Sequence, residues 1–181
     1  MGTYNSEQDR AVSKVRSFRI DRDLDEELVK AAESDGYTLS NLFNILVKNY
    51  LEFARVAIQM DRIIVSPITL LGFLKYLTHE QCKENGLNAS ENEARQALMI
   101  DGKPLKKESF YVVMRRLETA GWFKCVNHTG GGRDYFFIQN SYGHKWRQFI
   151  EGYLTGLIRL LDENSEIEVL GDNLILRFVE L

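Results

Sequence analysis

Between Lys14 and Gln59 the hydrophobic pattern changes from a period of two to a helical period. In Arg16–Ser17–Phe18–Arg19–Ile20 successive side chains alternate between two faces, as in a strand. Phe18 and Ile20 share one face, with Arg16 at its fraying edge; Val15, Ser17 and Arg19 share the other. A two-faced strand on its own is unstable in water, and no second strand follows at hairpin distance. The simplest partner is the same strand of a second copy, paired antiparallel about a two-fold axis. A helix is expected next, over Asp23–Asp35, capped by Asp21 or Asp23. Leu24, Leu28, Ala31 and Ala32 make its apolar stripe, and Asp25, Glu26 and Glu27 sit in its first turn, where the dipole favours acids. Gly36 is placed to end it in a left-handed conformation, and Thr38 to cap a second helix. That helix carries Leu39, Leu42, Phe43, Ile45, Leu46, Val47, Tyr50, Leu51 and Phe53, and is expected to run on toward Met60. It is apolar on more than one face, more than a monomer of this size covers, whereas an intertwined dimer would cover it.

Farther along, the pattern predicts alternating short helices and then strands. Arg62–Val65 reads as extended. Ser66–Pro67 reads as a cap and first-turn proline opening a helix over Ile68–Leu77, with Leu70, Leu71, Leu74 and Leu77 apolar. A short helical piece, His79–Asn85, is expected to stop at Gly86. Ser90 with Glu93 matches a capping box for a helix over Glu91–Met99, and Asp101–Gly102 is a turn. Then come an amphipathic helix (Glu108–Ala120), a strand (Trp122–Val126), a glycine-rich turn (Thr129–Gly132) and a strand (Asp134–Gln139). A long helix (His144–Leu161) and two strands (Glu166–Leu170 and Leu174–Glu180) follow. The order helix-strand-strand, twice, predicts one four-stranded sheet with helices on one face. The fold class expected is therefore α+β.

The first of these segments resembles the ribbon-helix-helix family of DNA-binding proteins. The resemblance rests on the strand with Phe18 and Ile20, on Leu24 and Leu28, on Gly36, and on Thr38–Leu39–Ser40 opening the second helix. It implies paired strands lying in the major groove of double-stranded DNA. By position, Val15, Ser17 and Arg19 would meet base edges, with Arg19 the guanine reader through O6 and N7. Lys14, Arg16 and Arg22 would flank them, and Thr38, Leu39 and Ser40 with their backbone N–H groups would hold a phosphate. Phe18, Ile20, Leu24, Leu28, Leu42, Leu46 and Tyr50 would form the core of the homodimer. The ending, from Tyr135 on through Gly143–His144–Lys145–Trp146, is similar to the C-terminal region of predicted archaeal regulators that also begin with a ribbon-helix-helix segment. That similarity implies a C-terminal effector or oligomerisation domain.

Charge qualifies this picture. The 181 residues carry a formal net charge of −3, so any nucleic-acid contact must be local. Five basic residues lie between Arg10 and Arg22 against Asp21, whereas Asp23–Asp35 holds six acids against Lys30. A dimerisation module without DNA binding is the alternative this balance leaves open. Two cysteines fit a reducing cytoplasm, and no apolar run reaches membrane-spanning length. The polar start lacks a signal-peptide core; its MGTYNS opening fits a myristoylation pattern only superficially, and a flexible arm over residues 1–13 is the plainer expectation.

Other candidate chemistry is thin. His79 with Cys82, and Cys125 with His128, could together make a Cys2His2 zinc site and a metal-responsive regulator. The second pair works only if His128 lies in the turn, and the separation between pairs is outside finger spacing. Gly130–Gly131–Gly132–Arg133 could cradle an anion, or form the wing of a winged helix whose Lys106, Lys107, Arg115 and Arg116 face DNA. Phe110, Val113, Met114 and Leu117 argue instead that this helix is buried. Lys145 and Arg147 oppose the dipole at the start of their helix, a weak hint of an anion or partner; Trp146 reads as core. No catalytic constellation, metal or cofactor is expected. The expected organisation is a ribbon-helix-helix at 14–59, a helical linker region at 60–104 and an αββαββ domain at 105–181, in a cytoplasmic, archaeal, homodimeric transcriptional regulator.

Overall fold

The computed structural model describes residues 14–130 and 133–179. The arm expected over 1–13 with its Arg10, the turn glycines Gly131 and Gly132, and the end of the last strand at Glu180 lie outside these. The chain divides into two compact units, Met1–Ile45 and Leu46–Leu181.

In the first unit, α1 spans Arg22–Asp35 and α2, spanning Leu39–Asn49, begins. Gly36 takes φ 71°, and the N–H groups of Gly36 and Tyr37 donate to Glu33 and Ala32, so the expected glycine stop is a Schellman cap. Thr38 caps α2 by accepting the Asn41 N–H at 3.2 Å. Arg16–Ser17–Phe18–Arg19–Ile20, expected as a strand, carries no sheet pairing in the single chain. A ladder needs a second strand, and no described part of this chain supplies one.

The second unit holds the rest of the helical backbone: a π turn Tyr50–Ala54, α3 (Arg55–Gln59), α4 (Pro67–Leu74), α5 (His79–Ala89), a second π turn Ser90–Ala94, α6 (Arg95–Ile100) and α7 (Lys107–Thr119). The helical run to Gln59 matches the expectation. Ser66 caps α4 with Pro67 at its first turn, also as expected, but α4 ends at Leu74 in a tight turn rather than at Leu77. Residues 62–66 are irregular.

Two expectations fail between His79 and Ile100. Gly86 does not end a helix, and Ser90 does not start one; the backbone stays helical across both. The capping box belongs to Thr78 and Gln81, one at each end of two reciprocal bonds, at the start of α5. Ser90 is buried, and its hydroxyl donates to the Leu87 carbonyl at 2.8 Å. Gly86 has a packing role: a Cβ there would overlap the Phe149 carbonyl of the long helix α8 (Gly143–Leu160).

The sheet is as expected in number and order of connection. Its strands are β1 (Lys124–Gly130), β2 (Arg133–Gln139), β3 (Ser165–Leu170) and β4 (Asn173–Phe178), all antiparallel neighbours in the order β1-β2-β4-β3. β1 starts two residues later than the Trp122 expected and takes in Thr129, which pairs with Asp134. Phe136, Ile138, Leu174, Leu176 and Phe178 are buried on the face toward α7 and α8, each contributing about 1.5–3 kcal/mol by leaving water. Phe110 of α7 meets Phe136 and Phe178 edge-on, both at 5.0 Å between centroids.

Candidate nucleic-acid interface

The N-terminal segment expected to touch DNA is exposed. Lys14, Val15, Arg16, Ser17, Arg19 and Arg22 all face solvent, as do Thr38, Leu39 and Ser40. Arg22 Nε donates to Glu26 at 3.1 Å, an exposed pair one helical turn apart. Such pairs hold by only a few tenths of a kcal/mol, so Arg22 remains available to a phosphate. At the head of α2, Asn41 bonds the Thr38 side chain and Leu42 the Thr38 carbonyl. The N–H groups of Leu39 and Ser40 find no protein acceptor among the described residues, which is the ordinary state of a helix start and suits an anion. Asp23 and Asp25 in the first turn of α1 make that helix start unfavourable for phosphate.

The residues expected as dimer core divide three ways. Leu42 is buried; Ile20 and Leu28 are half-buried; Phe18, Leu24, Leu46 and Tyr50 are about half exposed. Phe18 is held by its ring stacking on Phe43, at 4.7 Å between centroids. Sequence spacing gave no reason to pair those two, since Phe43 reads as one apolar position among many on α2. Ala32 is the one other buried side chain described in this unit. So small a core does not hold a unit of this length by itself.

The remaining candidates are taken up by packing. Cys125 and His128 lie three residues apart in β1, so they point to opposite faces and cannot share a metal; the turn position that the zinc arrangement required is not where His128 sits. Cys82 is fully buried, and burial pushes its thiol up from the ordinary value. Burial, with Glu118 adding to it, pushes Cys125 to about 11. Among the described residues no three His, Cys, Asp or Glu side chains converge. On α7, Phe110, Val113, Met114 and Leu117 are buried as anticipated. Arg116 is buried too, paired with Asp101 and donating to the Glu52 carbonyl at 3.0 Å, so it cannot face DNA from a winged helix. Arg115 pairs with Glu52 at 3.2 Å and Lys107 with Asp134 at 3.2 Å. Trp146 is core, its indole N–H donating to the Trp122 carbonyl at 2.8 Å. The two cations that oppose the α8 dipole have local partners: Lys145 donates to the Lys75 carbonyl at 2.8 Å and Arg147 to Glu151 at 3.1 Å. Among the described residues no helix is long and apolar enough to cross a membrane.

Comparison of the chain with family models, with curated proteins and with solved structures finds no match in any of the three.

Proposed function

We propose that this chain is a homodimeric, sequence-specific, double-stranded DNA-binding transcriptional regulator of the cytoplasm. Residues 14–20 of two copies would pair antiparallel as a ribbon in the major groove. The observation that carries the proposal is exposure without a partner in the single chain: Phe18 and Leu24 stay about half exposed in the first unit, as do Leu46 and Tyr50 at the start of the second, and Lys14, Arg16 and Arg19 face solvent. A second copy would cover the first group and leave the second for DNA. In that arrangement Val15, Ser17 and Arg19 meet base edges, and the free N–H groups of Leu39 and Ser40, with the Thr38 and Ser40 hydroxyls, meet a phosphate. The second unit would then serve as an effector or oligomerisation domain.

A dimerisation module without DNA binding is the second reading, favoured by the six acids between Asp23 and Asp35 and the net charge of −3. Binding to fragmented genomic duplex, with sequencing of what is retained, separates the two. The regulator requires retained fragments that share a palindrome. Arg19→Ala should then weaken that site by roughly 1–3 kcal/mol and relax preference at one base pair in each half-site. No retention at low salt, by a protein shown to be folded and dimeric, would leave only the assembly module.

A further inference from the structure

α4 lacks the polar face that a surface helix of a soluble protein shows to water. From Ile63 to Leu74 there is no charged residue; Arg62 and Lys75 bracket the stretch. Leu74 faces inward and is buried, with Leu70 and Leu77 packed beside it against the core. On the outer side, Ile63, Ile64, Ile68, Phe73 and Tyr76 are each between 68% and 96% exposed. Scattered exposed apolar residues are ordinary, but five large ones crowded into fourteen consecutive residues are a patch. Taking ordinary areas for such side chains, they offer roughly 600 Å² per copy, close to the ~800 Å² per partner of a standard protein interface.

We infer that the outer face of α4, with Ile63 and Ile64 before it and Tyr76 after it, docks on the same face of a second copy of this chain. Three observations select that occupant. From Ile63 to Leu74 the patch carries no charge, and Lys75, just before Tyr76, is its one charged residue, so the Ile63–Leu74 part meets itself about a two-fold axis without like charges opposed. Its area suits a protein face rather than a short peptide. In the same unit, the helical stretch just before it in the chain also leaves Tyr50, Leu51 and Ile58 exposed, and Tyr50 is one of the residues assigned above to a dimer. Gly72 lies one turn from Ile68 on the outer side, and a Cβ there would meet nothing within 4 Å. It is the point where a second helix can come closest. The inference rests on the homodimer proposed above only in supplying a second copy.

A two-fold axis near Gly72 brings the two copies of that residue together, so Gly72→Cys in the full chain should form an intermolecular disulfide under mild oxidation. The rate should exceed that of Gln96→Cys, an exposed helical control, at least tenfold; wild type, with Cys82 buried and Cys125 half-buried, sets the background. Ile68→Glu added to Gly72→Cys should return the rate to the control value while leaving the far-ultraviolet circular dichroism of the folded protein unchanged, because Ile68 is exposed in the single chain. Equal rates for Gly72→Cys and Gln96→Cys would overturn the inference. So would cosedimentation of wild type with phosphatidylserine-containing vesicles, abolished by Ile68→Glu, in a protein whose Gly72→Cys does not cross-link faster than control; the face would then belong to a lipid surface. Duplex retention is read on the same proteins. Cross-linking without retention sinks the DNA reading alone, and retention with cross-linking at the control rate sinks this inference alone.

Discussion

Asp134 shows how much one side chain can gather from its surroundings. Its carboxylate accepts from the Tyr111 hydroxyl at 2.6 Å and from Thr129 at 2.9 Å, and it pairs with Lys107 at 3.2 Å. The Tyr111 bond is the chief reason its carboxyl sits below the usual range, against the opposing pull of burial. Burial comes first for Tyr111, followed by the bond and charge of Asp134, and together they push its hydroxyl from 10 to about 12. A raised folded value means that the contribution of Tyr111 is fully present below its ordinary value. It is lost as pH rises through the folded one. Stability of the second unit, followed by the fluorescence of Trp122 and Trp146 in urea, should therefore fall between pH 10 and pH 12 more steeply in wild type than in Tyr111→Phe. Parallel curves would mean that burial and Asp134 together do not hold the phenol in its protonated form. Asp134 works the other way: its contribution is present above the ordinary carboxylate value and is lost as pH falls through the lowered one.

Helix α5 lies on α8 closely enough that neither tolerates a side chain at the contact. A Cβ on Gly152 would overlap the Lys83 carbonyl, one on Gly86 the Phe149 carbonyl, and one on Gly156 the Ser90 hydroxyl. Gly152→Ala tests this through its sign. Helix propensity alone would make alanine the better residue by about 1 kcal/mol. If the contact governs, a backbone oxygen cannot turn aside as a side chain can, so the helices must separate, and urea unfolding should show a loss of roughly 3 kcal/mol or more. The same glycines explain where sequence reasoning failed. In a single sequence, glycine inside a helical pattern signals a stop or a close approach with the same letter, and at Gly86 the stop was the wrong choice. Ser90 and Glu93 match a capping box as well as Thr78 and Gln81 do; burial of Ser90 against α8 decided between them, and that is a tertiary fact. By contrast α7, α8, β2 and β4 were legible because each carries one clear apolar stripe or alternation, with Gly121 and Gly171 at positive φ marking turns, whereas β1, KCVNHTG, has no such alternation and runs four residues past the Val126 expected to end it. On α4 the apolar residues were seen but their two sides were not, because a helix apolar all round has no periodicity to orient it.

For the molecule as a whole, the legible part of the candidate interface was the part set by local rules. Gly36 and Thr38 end and start their helices as their chemistry requires. The proposed ribbon could not be built the same way, since no described part of the chain pairs with the segment around Phe18 and Ile20. Charge offers the measurement that addresses it. DNA affinity comes largely from counterions released when cations neutralise phosphates, and log K falls with log salt at about 0.9 per phosphate contact. Each copy brings five basic residues between Arg10 and Arg22. If Arg19 reads a base, and if half of the ten in a dimer touch phosphate, the slope should be about −4 to −5. Raising salt from 50 to 200 mM should then weaken binding on the order of several hundredfold, less than for a uniformly basic protein. Arg16→Gln, in both copies, should reduce the slope by about 2 if each Arg16 holds one phosphate. A slope near zero would remove phosphate contact, and with it the major-groove ribbon. A slope steeper than about −9 would require more cations than this stretch possesses, and the second unit would then have to touch DNA as well.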